Sequence, residues 1–295
     1  MNIFRGIGVA LITPFKEDFS IDYPSIEQLI EFNIEKGIDY FVLMGTTSEA
    51  ATLSAEEKQR VIDFIVEKNQ NRLPLMIGIG GNHTNKVIKE IKEMDLSPFS
   101  AILSVCPYYN KPSQEGIYQH FKAVAQNTDC PIVLYNVPSR TGGQGIFPQT
   151  ALRLAKAFKN IIGIKDATGD MAVAMELIQN RPEGFLILSG DDEFALPLIY
   201  LGGDGVISVI GGGIPSIFSS MINHAIAGNI AHANALHYQS LKMIRLIFEE
   251  GNPAGIKELL TQQGIISSNQ VRLPLVHASA SLHNKIAAEL KKYKD

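Results

Sequence analysis

Residues 132–170 read IVLYNVPSRTGGQGIFPQTALRLAKAFKNIIGIKDATGD. The stretch opens on an apolar run over 132–137. Pro148 follows, where the first turn of a helix tolerates a proline, ahead of Leu152, Leu154 and Ala155. A second apolar run covers 161–164. The order is strand, helix, strand. Runs rich in Val, Ile and Leu without polar alternation suit strands covered on both faces, as in a parallel sheet.

The same unit recurs in both directions. Further apolar runs lie at 7–12, 40–44, 75–79, 101–106, 185–188 and 206–210, which makes eight. Helical patterns separate them. Ser54 and Glu57 form a capping-box pattern ahead of Val61, Ile62, Ile65 and Val66. Thr84 or Asn85 is placed to cap the next helix, Ser113 the one after, and Asp170 and Pro215 mark two more starts. Eight units in about 225 residues fit a closed (β/α)8 TIM barrel better than an open doubly wound sheet. No GxGxxG follows the first run, which weakens the open sheet further. After Gly228 the strand signal stops. The expected organisation is a catalytic barrel over 1–228 and a C-terminal helical region over 229–295 that packs on it, its last helix running over 281–293.

Composition narrows the functional classes. The chain of 295 residues is 45% apolar and 19% charged, with a net charge of −4. That suits a soluble α/β protein and gives no basic stripe for nucleic acid. No apolar run approaches the ~20 residues of a membrane span. The N-terminal MNIFRGIGVALITPF reads as a strand and not as a signal peptide, so a cytoplasmic location is expected. Cys106 and Cys130 lack a CxxC spacing and read as reduced thiols. The histidines are scattered, with no HExxH and no Cys/His cluster, so no metal site is expected.

In a barrel of this kind the working residues sit at the C-terminal ends of the strands and in the loops beyond them. Lys165 interrupts the run at 161–166. A lysine there is costly unless paired or neutral, and a neutral amine attacks carbonyls. On the residues alone, Lys165 could equally reach solvent or pair with Asp166. Tyr135 lies inside the run at 132–137, where its hydroxyl could shuttle protons or simply sit at a rim. Gly45-Thr46-Thr47-Ser48-Glu49 offers N–H groups and hydroxyls suited to a carboxylate, or an ordinary turn. Arg140 could fork onto a second carboxylate, or be a solvated loop residue.

Six segments then carry a resemblance. They are GVALITPF at 8–15, GTTSE at 45–49, PYYNKP at 107–112, LYNVPSRTG at 134–142, GIKDATGD at 163–170 and GVISV at 205–209. Together and in this order they resemble the dihydrodipicolinate synthase family, within the pyruvate-dependent aldolases and lyases that include N-acetylneuraminate lyase. The resemblance implies that Lys165 forms an imine with pyruvate and that Tyr135 donates and accepts protons. It implies that Thr47, and a Tyr109 from a neighbouring subunit, complete a hydroxyl relay. Thr46 and Thr47 would hold the pyruvate carboxylate, Arg140 the carboxylate of aspartate semialdehyde, and Gly190 and Ile207 would line the site. It implies no cofactor beyond the covalent imine, a homotetramer built as a dimer of dimers, and a place in lysine and diaminopimelate biosynthesis. Arg140 favours this synthase over the sialic-acid lyases, which resemble the segment but usually lack the Ser-Arg-Thr-Gly run.

Two departures carry expectations. Ser48 stands where the family commonly has a glycine, so a positive φ is expected at a residue poorly suited to it. Lysine-inhibited members bind lysine through a serine, histidines, an asparagine, a glutamate and a tyrosine. By position this chain offers Ala50, Ala55, Lys58, Asn82, Lys86 and Tyr108. Lys86 would repel a lysine ammonium, so inhibition by lysine is expected to be weak or absent.

Overall fold

Eight parallel strands close in sequence order into a barrel in the computed structural model, which describes residues 3–143 and 145–293. The strands are β1 (Gly6–Ala10), β2 (Tyr40–Leu43), β3 (Leu75–Gly78), β4 (Ala101–Val105), β5 (Ile132–Asn136), β6 (Ile161–Asp166), β7 (Leu186–Ser189) and β8 (Gly205–Ser208). Each falls on one of the eight apolar runs, and nearly every strand residue is buried. Met1 and Asn2 of the N-terminal stretch lie outside the described residues.

The helices in chain order are α1 (Tyr23–Glu35), α2 (Ala55–Asn69), α3 (Thr84–Glu93), α4 (Gln114–Ala125), α5 (Pro138–Thr141), α6 (Pro148–Ala157), α7 (Met171–Asn180), α8 (Ala195–Tyr200), α9 (Pro215–Ile226), α10 (Ile230–Glu249), α11 (Ala254–Gln262) and α12 (Ala280–Leu290). The expected start signals are mostly in place. Ser54 and Glu57 make the full capping box of α2, Ser113 caps α4, Asp170 caps α7, and Pro148 and Pro215 open α6 and α9. At α3 the cap is His83 and not Thr84 or Asn85, because the His83 side chain accepts from the Lys86 N–H. The last helix begins after Ser279 and ends at Leu290, and a short 3-10 turn completes it.

Packing divides the chain into two compact units. One comprises residues 1–6 and 74–207. It holds β3 to β7, most of β8, and α3 to α8. The strands β4, β5, β6 and β7 pair in parallel, and the register sets Tyr135 opposite Lys165 and Asn136 opposite Asp166. Successive residues of a strand point to opposite faces. Tyr135 and Lys165 therefore share one face, and Asn136 and Asp166 the other.

The second unit comprises residues 7–73 and 208–295. It holds the rest of β1, the β2 strand, α1, α2 and the helices from α9 onward. The C-terminal helices thus pack with the segment that carries the Gly45–Glu49 loop. Within α11 every residue from Ala254 to Leu260 is buried, including Lys257 and Glu258.

Candidate active site

Lys165 is the penultimate residue of β6 and is only 6% exposed. Its Nζ lies 4.3 Å from the centre of the Tyr135 ring. Tyr135, 8% exposed, is likewise the penultimate residue of its strand. Parallel strands in register therefore deliver an amine and a phenol to the same end of the sheet and the same face.

Neither bland reading of Lys165 holds: it does not reach solvent, and Asp166 is not its partner. The Asp166 carboxylate accepts from Asn136 Nδ2 at 2.8 Å and from Thr168 Oγ1 at 2.6 Å, on the opposite face. Burial raises the Asp166 pKa, and these two donors work against the rise. Asn136 also exchanges bonds with Ile146, donating to its carbonyl at 3.3 Å and accepting from its N–H at 2.9 Å. The network behind the strands thus ties β5 and β6 to the start of the segment that leads into α6.

Gly190, just after β7, donates its N–H to the Asp166 carbonyl at 2.7 Å. A Cβ built there would stand 2.7 Å from Ala167 Cβ and 3.0 Å from Lys165 Cε. The absent side chain is what gives the lysine stem its room. Ile207 is fully buried in β8. Arg140 lies in the last turn of the short α5, where its side chain is exposed with no carboxylate partner among the described residues. Tyr109 is 88% exposed and holds a positive φ of 71°. Among the described residues, nothing within its own unit covers that ring.

In the other unit, Thr46, Thr47 and Ser48 form a 3-10 turn after β2. Thr46 is exposed and Thr47 buried. The positive φ expected at Ser48 is absent; it falls instead on Met44 (54°) and Glu49 (55°). Ser48 sits inside the turn, with its Oγ donating to the Gly45 carbonyl at 2.7 Å. Its own carbonyl accepts from Thr13 Oγ1 at 2.7 Å. A serine is therefore compatible with this loop.

Sequence reasoning missed three residues that hold the loop. Asn252 Nδ2 donates to Thr47 Oγ1 at 2.9 Å. Lys257 Nζ donates to Glu49 Oε1 at 2.5 Å, and both side chains are essentially fully buried. The Arg272 N–H donates to Glu49 Oε2 at 2.8 Å. Burial pushes the Lys257 pKa down to about 8, and Glu49 opposes that fall. One signal was available: Lys257 interrupts Ala254-Gly255-Ile256 and Leu259-Leu260 much as Lys165 interrupts its strand.

Among the described residues no group of three or more His, Cys, Asp or Glu side chains is arranged to hold a metal ion. Asp191 Oδ1 accepts from the Glu193 N–H at 2.9 Å, and burial raises the Asp191 pKa. Nor is any described helix long and apolar enough to cross a membrane.

The family model for the Dihydrodipicolinate synthetase family matches residues 3–293. The chain belongs to that family. A 4-hydroxy-tetrahydrodipicolinate synthase of Flavobacterium psychrophilum is 53% identical over 97% of this chain and 97% of its own length. The chloride-inhibited dihydrodipicolinate synthase of Acinetobacter baumannii, solved in complex with pyruvate, superposes with a TM-score of 0.93. It is 40% identical, with 98% of each chain covered. A monomeric dihydrodipicolinate synthase variant gives a TM-score of 0.95 at 35% identity, over 98% of this chain and 97% of that one. The barrel, the family and the enzyme class expected from the sequence, a lyase of the synthase type, therefore stand.

Proposed function

We propose that the chain is a 4-hydroxy-tetrahydrodipicolinate synthase that condenses pyruvate with L-aspartate 4-semialdehyde through an imine on Lys165. The observation that carries the mechanism is the buried Lys165 amine beside the Tyr135 ring, in a chain of this family. The free amine of Lys165 adds to the keto carbon of pyruvate, and the carbinolamine loses water to give the imine. Tyr135 carries protons to and from the reacting atoms, and Thr47 and a second subunit's copy of Tyr109 extend the relay. Loss of a methyl proton gives the enamine, whose carbon attacks the aldehyde carbon of the semialdehyde. The amino group of that substrate then closes the ring at the imine carbon and releases Lys165.

In this reading Thr46 and Thr47 hold the pyruvate carboxylate, and Arg140, which has no carboxylate partner among the described residues, takes that of the semialdehyde. Gly190 and Ile207 shape the site. The chemistry needs no cofactor besides the imine. The exposed, strained Tyr109 supports an assembly in which a neighbouring subunit covers it, a homotetramer made of two such dimers. The reaction belongs to lysine and diaminopimelate biosynthesis, and the enzyme works in the cytoplasm.

Borohydride reduction in the presence of pyruvate, followed by peptide mass spectrometry, tests the imine. An adduct on Lys165 is expected; its absence at saturating pyruvate ends the Schiff-base mechanism. Turnover of pyruvate with aspartate semialdehyde tests the substrates. Cleavage of N-acetylneuraminate alone would replace the synthase reading by a sialic-acid lyase.

A further inference from the structure

Asn252 lies just before α11, and its amide is buried, with the residue only 8% exposed. Its Nδ2 donates to Thr47 Oγ1 at 2.9 Å, while its Oδ1 is buried with no hydrogen-bond partner among the described residues. A threonine hydroxyl has one proton and two acceptor sites. A donor at Asn252 occupies an acceptor site and leaves the proton of Thr47 to be given elsewhere. An acceptor in the same place would capture that proton and reverse the hydroxyl.

The loop around Thr47 is held as well as aimed. Thr13 Oγ1 donates to the Ser48 carbonyl, and Lys257 Nζ and the Arg272 N–H take the two carboxylate oxygens of Glu49. Lys257 also donates to the Gln270 carbonyl at 2.8 Å and lies 4.2 Å from the centre of the Phe15 ring. Residues 252–272 therefore reach Thr47 directly and Glu49, two residues on, by charge-assisted bonds. A hydroxyl on a backbone fixed this way keeps the orientation its buried neighbour imposes.

We propose that Asn252 is a positioning residue that sets the direction of the Thr47 hydroxyl, making it a proton donor to the reaction. The segment 252–272 is then part of the active-site machinery and not a structural appendage. The inference rests on the reading of Thr47 as a member of the proton relay.

Asn252→Asp puts a group of nearly the same shape in the same place. Ionised, it can only accept; protonated, it can donate as the amide does. Asn252→Ala removes the partner and leaves the hydroxyl to choose. Both substitutions are made in the parent enzyme and in Thr47→Val, with kcat, KM for pyruvate, melting temperature and borohydride trapping measured from pH 6 to 9. Expected for Asn252→Asp is a kcat lower by about 30-fold at pH 8, with KM for pyruvate within about threefold and a deficit that shrinks as pH falls. Asn252→Ala should lose about fivefold, with a pH profile parallel to the parent's. In the Thr47→Val background neither should lower kcat further, because the shared partner is gone.

Equal losses for the two variants at every pH, or undiminished losses in Thr47→Val, would overturn the inference. If Asn252→Asp does not melt cooperatively, Asn252→Ala in the two backgrounds decides alone. Failure of the parent enzyme to trap pyruvate on Lys165 would instead sink the function on which the inference rests, so the two failures are distinguishable.

Discussion

Lys165 and Tyr135 are register partners across β6 and β5, and the lysine Nζ lies 4.3 Å from the centre of the tyrosine ring. The pair owes its placement to the strand ladder and not to a flexible loop, which gives it the rigidity that the proposed covalent mechanism needs. Removing the amine should remove the reaction. Lys165→Ala is expected to lower kcat by at least about 10³-fold and to abolish the borohydride adduct. Lys165→Arg should fare no better, because a guanidinium stays charged and does not form the imine. Tyr135→Phe keeps the ring and removes only the hydroxyl. It should cost about 10²-fold in kcat while leaving the melting temperature nearly unchanged. Retention of wild-type kcat by Tyr135→Phe would exclude the tyrosine as the proton carrier.

Gly190 makes a steric prediction. The methyl of Gly190→Ala would stand 2.7 Å from Ala167 Cβ, 3.0 Å from Lys165 Cε and 3.1 Å from Lys165 Cγ. Contacts this close force the lysine stem or the β7 end to move, at a typical overpacking cost of about 1–3 kcal/mol. In the proposed mechanism the displaced stem carries the nucleophile, so imine formation should slow markedly. A time course of adduct trapping measures this directly. A variant that traps pyruvate at the parent's rate would show that Lys165 does not need the space.

The strands were legible because a strand buried on both faces has to be apolar throughout, and a polar residue inside such a run announces itself. Lys165 and Tyr135 were found on that signal, and the register then sets them side by side, residue for residue. Asn252 gave no such signal. It stands beside a proline in a segment without periodicity, and its partner Thr47 is 205 residues away. Lys257 was visible as a charge in an apolar helix, but its partner Glu49 is 208 residues away and no local pattern names it. The expectation at Ser48 failed for a local reason. Which residue of a tight turn takes the left-handed backbone depends on how the turn closes, and here the 3-10 turn closes on Glu49.

Regulation by lysine can be read from the positions where inhibited relatives bind it. Asn82 Nδ2 donates to the Tyr108 carbonyl at 3.0 Å, so these two remain together. Lys86, in the first turn of α3, is exposed and brings a cation where a carboxylate would be needed. L-lysine at about 1 mM should therefore leave the initial rate almost unchanged. Lys86→Glu should make the enzyme more sensitive by removing the like charge. Half-inhibition of the parent enzyme well below a millimolar would show that other groups bind the ammonium.

The ion pair behind the Thr47 loop sets an acid limit on stability. Arg272 donates to both carboxylate oxygens of Glu57, at 2.7 and 2.6 Å. The guanidinium holds the Glu57 carboxyl down to about 2, from an ordinary value of 4.5. A carboxyl depressed on folding contributes stability that is fully present above its unfolded pKa and is lost as pH falls through its folded one. The window here runs from about pH 4.5 down to about 2. The contribution at neutral pH is about 2 kcal/mol once solvent screening of this half-buried pair is allowed for. Glu57→Gln keeps the shape and cannot titrate. Its melting temperature should lie a few degrees below the parent's at pH 7, and the gap should close as the pH is lowered through that window. Thermal melts of both proteins at half-unit steps from pH 7 to 3 measure the gap. A gap that stays constant over the acid range would mean that the loss in Glu57→Gln comes from packing and not from the charge that Arg272 stabilises.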